Sequence, residues 1–299
     1  MPETQYKTRQ EALPTLSFEY FPPKTYEAWE TLTTDTAVRL AALHPSFMTV
    51  TYGAGGSRRS WTMETAVAIQ KNTAIPTATH LTCINVYKKG LLGIAQTFQD
   101  NGIKHIVALR GDVPPEDAPL DYDDKNYYHY ANELIAGLKS IHDFEISVAA
   151  YPEKHPEAPD MATDLQNLKR KWKTGADRAI TQFFFDNNYY YDFLEKVETA
   201  GIKLPVIPGV LPIASYERML RFAAMCHTHV PDKIKERFAP YFHSQEDMDK
   251  VATEILIEQI EGLMQYGVPH IHFYTLNKAE MTLAACKACG LSGKYEQKI

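Results

Sequence analysis

Apolar and polar positions alternate along this chain in short β-type runs, and eight of those runs end in residues that can bind a ligand or move a proton. They are TLSFEYFPP (15–23), SFMTVTYG (46–53), PTATHLTC (76–83), KHIVALRGD (104–112), EISVAAYPE (145–153), RAITQFFFD (178–186), LPVIPGVLP (204–212) and HIHFYTLNK (270–278). Helical periodicity fills most of the intervals between them. Strands that alternate with helices are joined by crossovers and run parallel. Eight such units predict an α/β fold, a closed (β/α)₈ TIM barrel, with its active site at the C-terminal ends of the strands. The same runs thus predict an architecture and a shortlist of site residues.

Strand starts are spaced by about thirty residues in most units, as a strand, a loop and a crossover helix require. Two intervals are longer. Residues 113–134 insert an acidic, Tyr-rich loop before the fourth helix, and residues 213–269 hold at least two helices, ASYERMLRFAAMCH and QEDMDKVATEILIEQIEGLMQYG. Extra length on the catalytic face serves as a lid or a binding wall. Residues 1–14 read as an N-terminal arm and 15–299 as one barrel domain, with no repeat beyond the βα period. In the helix MATDLQNLKRKWKTGAD (161–177), Met161, Leu165, Leu168 and Trp172 form an apolar stripe toward the barrel. Asp164, Asn167 and Lys171 share the stripe beside it. That polar row is either a solvated helix face or a grip for ribose and pyrophosphate.

Composition narrows the function classes. Hydrophobic content of 44% and charged content of 23% over 299 residues are those of a soluble globular protein. A net charge of −6 provides no attraction toward nucleic acid or an anionic membrane. The first residues, MPETQYKTRQEALP, lack the apolar core of a signal peptide, and no apolar stretch approaches the ~20 residues needed to span a bilayer. Four scattered cysteines suit a reducing compartment, so the expected location is cytoplasmic.

Several strand ends carry candidate chemistry. Glu19 alternates with the apolar positions of an aromatic strand that stops at Pro22 and Pro23. Desolvation there should raise the pKa of its carboxyl and suit it to donate a proton; a salt-bridged structural Glu is the alternative. Arg110 and Asp112 bracket Gly111, a grouping that recognises a heterocycle or simply closes a loop as an ion pair. His80 is a donor or acceptor at the mouth. Gln182 interrupts the apolar run RAITQFFFD, so its amide must be satisfied by backbone or by a ligand such as a pterin or nicotinamide. Tyr151 and His155 lie on the Pro-stiffened segment YPEKHPEA, and Tyr274 and Lys278 end the eighth run, where Lys278 suits an anionic tail. His270-x-His272 lacks a matching carboxylate and His cluster, and Cys286-x-x-Cys289 stands without two further ligands, so no metal is expected. GAGG (53–56) is neither G-x-G-x-x-G nor a P-loop, though its backbone N–H groups can hold phosphate.

With these residues in hand, the chain resembles the methylenetetrahydrofolate reductases from about residue 16 to 288. The likeness rests on SFEYFPPK, TVTYGAGG, HLTC, GIKHIVALRGDVPP, ISVAAYPEKHPEA, DLQNLKRKWKTGADRAITQFFFD, IPGVLPI and HFYTLNKAEM, in that order. It implies FAD as cofactor, NADH or NADPH and a folate as partners, and a ping-pong relay that yields 5-methyltetrahydrofolate for methionine synthesis. By the match, Glu19 looks like the catalytic acid. Thr51, Tyr52, Ala54, His80, Arg110, Gly111, Asp112, Tyr130, Ala131, Tyr151, His155, Asp164, Asn167, Arg170 and Lys171 fall where the family holds FAD. Asp112 also resembles the carboxylate that faces the pterin and tunes the flavin. Gln182, Phe222, Tyr274 and Lys278 match positions that contact nicotinamide and folate in turn. The chain departs from the family at Lys278, where bacterial members carry Arg, and at Arg218, where the better-known bacterial form carries Gln. An end near residue 299 implies the bacterial form without a C-terminal S-adenosylmethionine-sensing domain, and a homo-oligomer is a further implication of the resemblance. A pterin-binding methyltransferase barrel and a folate- or flavin-binding protein without catalysis are the alternatives.

Overall fold

The computed structural model describes residues 13–52, 59–112 and 124–291. Its strands are β1 (Thr15–Tyr20), β2 (Phe47–Val50), β3 (Thr77–Thr82), β4 (His105–Leu109), β5 (Glu145–Ala150), β6 (Arg178–Thr181), β7 (Val206–Ile207), β8 (Gly209–Val210) and β9 (His270–Tyr274). All pair in parallel in one sheet ordered β7-β6-β5-β4-β3-β2-β1-β9-β8. The seventh run, expected as one strand, is two short pieces divided at Pro208, which has no N–H for the ladder. The first piece pairs with β6 and the second with β9. Both ends of the ladder therefore lie on one stretch of chain, and the barrel closes there. Each predicted run extends past the C-terminal end of its strand by one to five residues, and among the described residues that surplus forms the loops of the mouth.

Alternation sorts each strand into two faces. On β1, Leu16, Phe18 and Tyr20 join the main apolar core together with Met48, Val50, Leu81, Ile106, Ile146, Val148, Ile271 and Phe273. Burial of each large side chain contributes about 1.5–3 kcal/mol. The alternate residues face into the barrel, and many are polar and buried: Ser17, Glu19, Thr49, His80, His105, Ser147 and His272. Phe47, Ile180 and Ile207 form a small apolar plug among them.

Helices clothe the outside. A first helix runs from α1 (Tyr26–Thr31) through a π turn (Leu32–Thr36) into α2 (Ala37–Ala41). Then come α3 (Arg59–Thr73), α4 (Lys88–Asp100), α5 (Ala131–Ile141), α6 (Met161–Thr174) and α7 (Asn187–Thr199). The long interval after β8 holds three helices, α8 (Tyr216–Cys226), α9 (Asp232–Phe238) and α10 (Gln245–Tyr266), where two were the minimum expected; α11 (Glu280–Ala288) follows β9. Helix α6 starts where Asp160 caps Thr163 N at 2.7 Å and stops at Gly175, whose φ of 118° places it in the left-handed region. Its expected stripe holds: Leu168 is buried, and Met161, Leu165 and Trp172 pack on the core. Phe183, Phe185, Leu211 and Ile213 from the ends of β6 and β8 pack with α8, α9 and α10 into a second apolar cluster beside the mouth. No described helix is long and apolar enough to cross a membrane.

Candidate active site

Glu19 sits one residue before the end of β1, buried, with its side chain turned into the barrel. Parallel register brings three neighbours to its Oε2. His80 Nε2 from β3 lies 3.1 Å away, His272 Nε2 from β9 lies 3.5 Å away, and Thr49 Oγ1 from β2 donates at 3.4 Å. Both ring nitrogens are within ion-pair distance but off hydrogen-bond alignment, and neither makes another hydrogen bond. Burial pushes the Glu19 carboxyl up. Electrostatic attraction to the His80 and His272 rings and their polar contacts outweigh burial and bring it down to about 2. The expectation of a raised carboxyl is corrected: Ser17 and Glu19 share their face with basic rings, while the Phe and Tyr side chains of β1 point the other way.

The opposite wall of the mouth is built by β4, β5 and α6. Arg110 forks onto Glu157, Nη1 to Oε2 at 2.6 Å and Nη2 to Oε1 at 2.5 Å. Its carboxylate partner at the fork is Glu157, while Asp112 is exposed three residues past the end of β4. Gly111 has φ 88°, and a Cβ there would come within 2.9 Å of Ile84, so the position requires glycine for conformation as well as for close approach. Tyr151 and His155 meet edge to face at 4.6 Å. His155 Nδ1 accepts from Glu157 N at 3.1 Å, which leaves the ring proton on Nε2. Burial lowers the His155 pKa, so the ring is neutral near neutral pH. Asp164 Oδ2 accepts from His155 N at 2.9 Å, and Lys171 Nζ reaches Ala149 O on β5 at 2.5 Å. Burial lowers the Lys171 ammonium to about 8, partly offset by Asp164. Asn167 Oδ1 accepts from Arg170 Nη1 at 2.9 Å. The polar stripe of α6 is thus tied to the strand ends and is not a row of i,i+4 ion pairs.

Among the remaining residues, Gln182 Oε1 accepts from Phe183 N at 3.0 Å, so the amide oxygen is satisfied by backbone. Tyr274 donates to Thr181 O at 2.6 Å and lies edge-on to Phe183. Phe222 on α8 packs half-buried against the second cluster. Thr51 and Tyr52 follow β2, half-buried; Tyr130 precedes α5, exposed, and Ala131 begins that helix. Lys278 and Arg218 are both exposed, Lys278 just before α11 and Arg218 in the first turn of α8. Ala54, the GAGG segment and residues 113–123 of the acidic loop lie outside the described residues. Cys286 is buried on α11 with its thiol pushed up to about 12 by burial, and all four cysteines are free. Among the described residues no group of three or more His, Cys, Asp or Glu is arranged around a metal site.

Sequence reasoning missed Glu157, Thr49, Ser17 and the role of His272. Glu157 stands two residues after His155, inside a segment already singled out. His272 stands in the His270-x-His272 pair, weighed only as a metal ligand, while Thr49 and Ser17 carry no motif and are marked only by the inward alternation of β1 and β2.

The chain matches the sequence profile of the family described as "Methylenetetrahydrofolate reductase" over residues 5–290. The chain belongs to the methylenetetrahydrofolate reductase family. It is 42% identical over 276 residues to the 5,10-methylenetetrahydrofolate reductases of Salmonella typhimurium and of Escherichia coli, covering 92% of this chain and 90% of each relative. In fold it is similar to a protein from Clostridium thermocellum that binds two copies of 5-methyl-5,6,7,8-tetrahydrofolic acid. That similarity has a TM-score of 0.63 at 14% identity and covers 93% of this chain and 95% of the other. The family assignment agrees with the resemblance carried by the strand-end motifs, and the structural likeness agrees with the barrel.

Proposed function

We propose that the protein reduces 5,10-methylenetetrahydrofolate to 5-methyltetrahydrofolate with NADH or NADPH, using FAD as its cofactor. The observation that carries this reading is a buried carboxylate, Glu19, held at a barrel mouth between His80 and His272 in a chain of this family. The residues present fit a bound dinucleotide. A buried ammonium at Lys171 and the Nε2–H of His155 line one wall beside Arg110, whose guanidinium would have to turn from Glu157 to join them, and these are the donors that a diphosphate needs. Asp164, Asn167 and Arg170 on α6, Tyr151, Thr51, Tyr52, Gly111, Tyr130 and Ala131 would complete the cradle, and the resemblance adds Ala54, outside the described residues. When bound, FAD supplies hydride transfer between nicotinamide and folate.

The protein's own residues supply position and a proton. Glu19 is a carboxylate in the free site, so it takes a proton from a flanking imidazole and then passes it to a nitrogen of the folate's five-membered ring. The ring opens to an iminium ion able to accept hydride. Asp112, exposed at the end of β4, faces the pterin. Gln182 keeps its amide nitrogen for whichever ring occupies the site, while Phe222 and Tyr274 provide the surfaces beside it. One set of residues serving two substrates in turn is a ping-pong arrangement. Lys278 attracts the anionic tail as a point charge, not as a fork. A cytoplasmic homo-oligomer of one barrel, preceded by a short arm, completes the reading.

The test is anaerobic. Purified protein should be yellow, bleach with NADH or NADPH, and regain colour on 5,10-methylenetetrahydrofolate. Colourless protein, or colour that nicotinamide leaves unchanged, returns the chain to a pterin methyltransferase or a binding protein.

A further inference from the structure

Below Glu19 a file of polar side chains runs to the opposite end of the barrel. His272 Nδ1 is 2.7 Å from Ser17 Oγ, and Ser17 Oγ is 2.8 Å from His270 Nε2. His270 Nδ1 is in turn 2.8 Å from Thr15 Oγ1. Ser17 and His272 are fully buried, whereas Thr15, the first residue of β1, is exposed at the N-terminal end of the barrel. Register explains the file: Thr15 pairs with His270, Ser17 with His272 and Glu19 with Tyr274, so inward positions of two adjacent strands interleave. At the top, His272 Nε2 has no other hydrogen bond and lies 3.5 Å from Glu19 Oε2.

Two features set this file apart from ordinary filling. Barrel interiors are dominated by bulky branched apolar side chains, and buried hydroxyls and imidazoles are costly unless paired. The donor and acceptor roles also agree along its whole length. In one of the two senses the file allows, Thr15 O–H, which also reaches Pro269 O at 3.3 Å, turns to His270 Nδ1, His270 Nε2–H donates to Ser17 Oγ and Ser17 O–H to His272 Nδ1, which leaves the Nε2–H of His272 facing Glu19. The Phe47 ring flanks both imidazoles, at 5.4 Å from His270 and 6.2 Å from His272, and shields them from water. Other polar groups border the file. Thr49 and His80 contact Glu19. Arg178, paired with Glu145, lies over Phe47, and His105 touches the same ring. Burial, then His272 and Arg178, lower His270 to about 3, so its ring is neutral near neutral pH and offers one donor and one acceptor.

We propose that Thr15, His270, Ser17 and His272 form a proton relay that reloads Glu19 from solvent at the N-terminal end of the barrel. The inference rests on Glu19 being the acid of the proposed reaction. In one passage each O–H or N–H hands its proton to the next acceptor, Thr15 takes one from water, and His272 Nε2 gives one to the carboxylate. No electron moves, and one proton enters for each proton Glu19 delivers. The file is left with reversed polarity, and turning of its hydroxyls and rings restores it before the next passage. The last link closes when His272 and Glu19 approach from 3.5 Å toward the roughly 2.9 Å of a formed N–H···O bond. Such a path supplies protons while ligands cover the mouth.

Ser17→Ala removes the hydroxyl shared by both rings. It should slow folate reduction by about tenfold or more, part of the 10²–10⁴ that a general acid contributes. It should also raise the solvent deuterium isotope effect of that half-reaction and leave bleaching by nicotinamide unchanged. Ser17→Thr should restore the rate, and His270→Gln serves as the second interruption if Ser17→Ala folds poorly. Independently of turnover, ¹⁵N NMR of the protein should show Nε2–H tautomers at His270 and His272. Normal folate reduction with an unchanged isotope effect in both interruptions overturns the relay, as do Nδ1–H tautomers at both rings. Glu19→Gln separates the two ideas: if it retains folate reduction, the acid reading fails, whereas if it is inactive beside fully active interruptions, only the relay fails.

Discussion

On β1, Leu16, Phe18 and Tyr20 turn out toward the helices while Ser17 and Glu19 turn into the barrel, and the two sets meet different physical demands. The outward set needs volume and apolar surface, and many residues of similar size satisfy it. The inward set needs partners of definite charge and direction. Glu19 depends on His80 and His272, and Ser17 on both His270 and His272. The lesson is that stability and chemistry are carried by alternate residues of the same six-residue strand. A substitution on one face should change one property and spare the other.

Glu19→Gln is the sharpest probe of that separation. Folate reduction should fall by roughly 10²–10⁴, with bleaching by nicotinamide retained in stopped-flow spectra and the unfolding midpoint little changed. Phe18→Ala tests the other face. Loss of a fully buried ring should cost about 3–5 kcal/mol in urea unfolding, while each folded molecule keeps its turnover rate. A mutant that lost stability and chemistry together on either face would dissolve the distinction.

Acid titration sharpens the electrostatic side. The folded Glu19 carboxyl, at about 2, lies below its ordinary 4.5. A depressed carboxyl contributes stability above its unfolded pKa, and that contribution is lost as pH falls through the folded one. The wild-type protein should therefore lose up to about 3 kcal/mol relative to Glu19→Gln between pH 4.5 and about 2. Urea melts of both proteins across that range measure the difference.

The far wall of the mouth should respond more weakly. Lys171→Met removes a buried ammonium, so the ligand-free fold should hold or gain stability, while flavin affinity falls by about 1–3 kcal/mol in equilibrium titration. Arg110→Lys breaks the fork on Glu157, a carboxylate 57% exposed, and should change unfolding free energy by less than about 1 kcal/mol. Its effect should appear in flavin retention, because a point charge does not replace two parallel N–H donors.

The barrel was legible from the runs alone because alternation is a local property: period 2 in each strand marks an inside and an outside without reference to any neighbour. Glu19 and Gln182 could be picked out for the same reason, as residues whose polarity conflicts with their run, Arg110 as a charge at a run's end, and Lys171 as part of a polar row beside an apolar stripe. What those residues do to one another could not be read that way. The sign of the Glu19 pKa shift came out opposite to the reading from its own strand, since the rings that hold its charge arrive from β3 and β9. Arg110 chose Glu157 over the adjacent Asp112, 47 residues away against two. The seventh strand broke at Pro208 because the ring must close on both sides there. The Ser17–His272 link joins residues 255 apart in the chain. Local pattern sorts residues by face; charge state and partner choice follow from distances that exist only once the barrel has closed and its register is set.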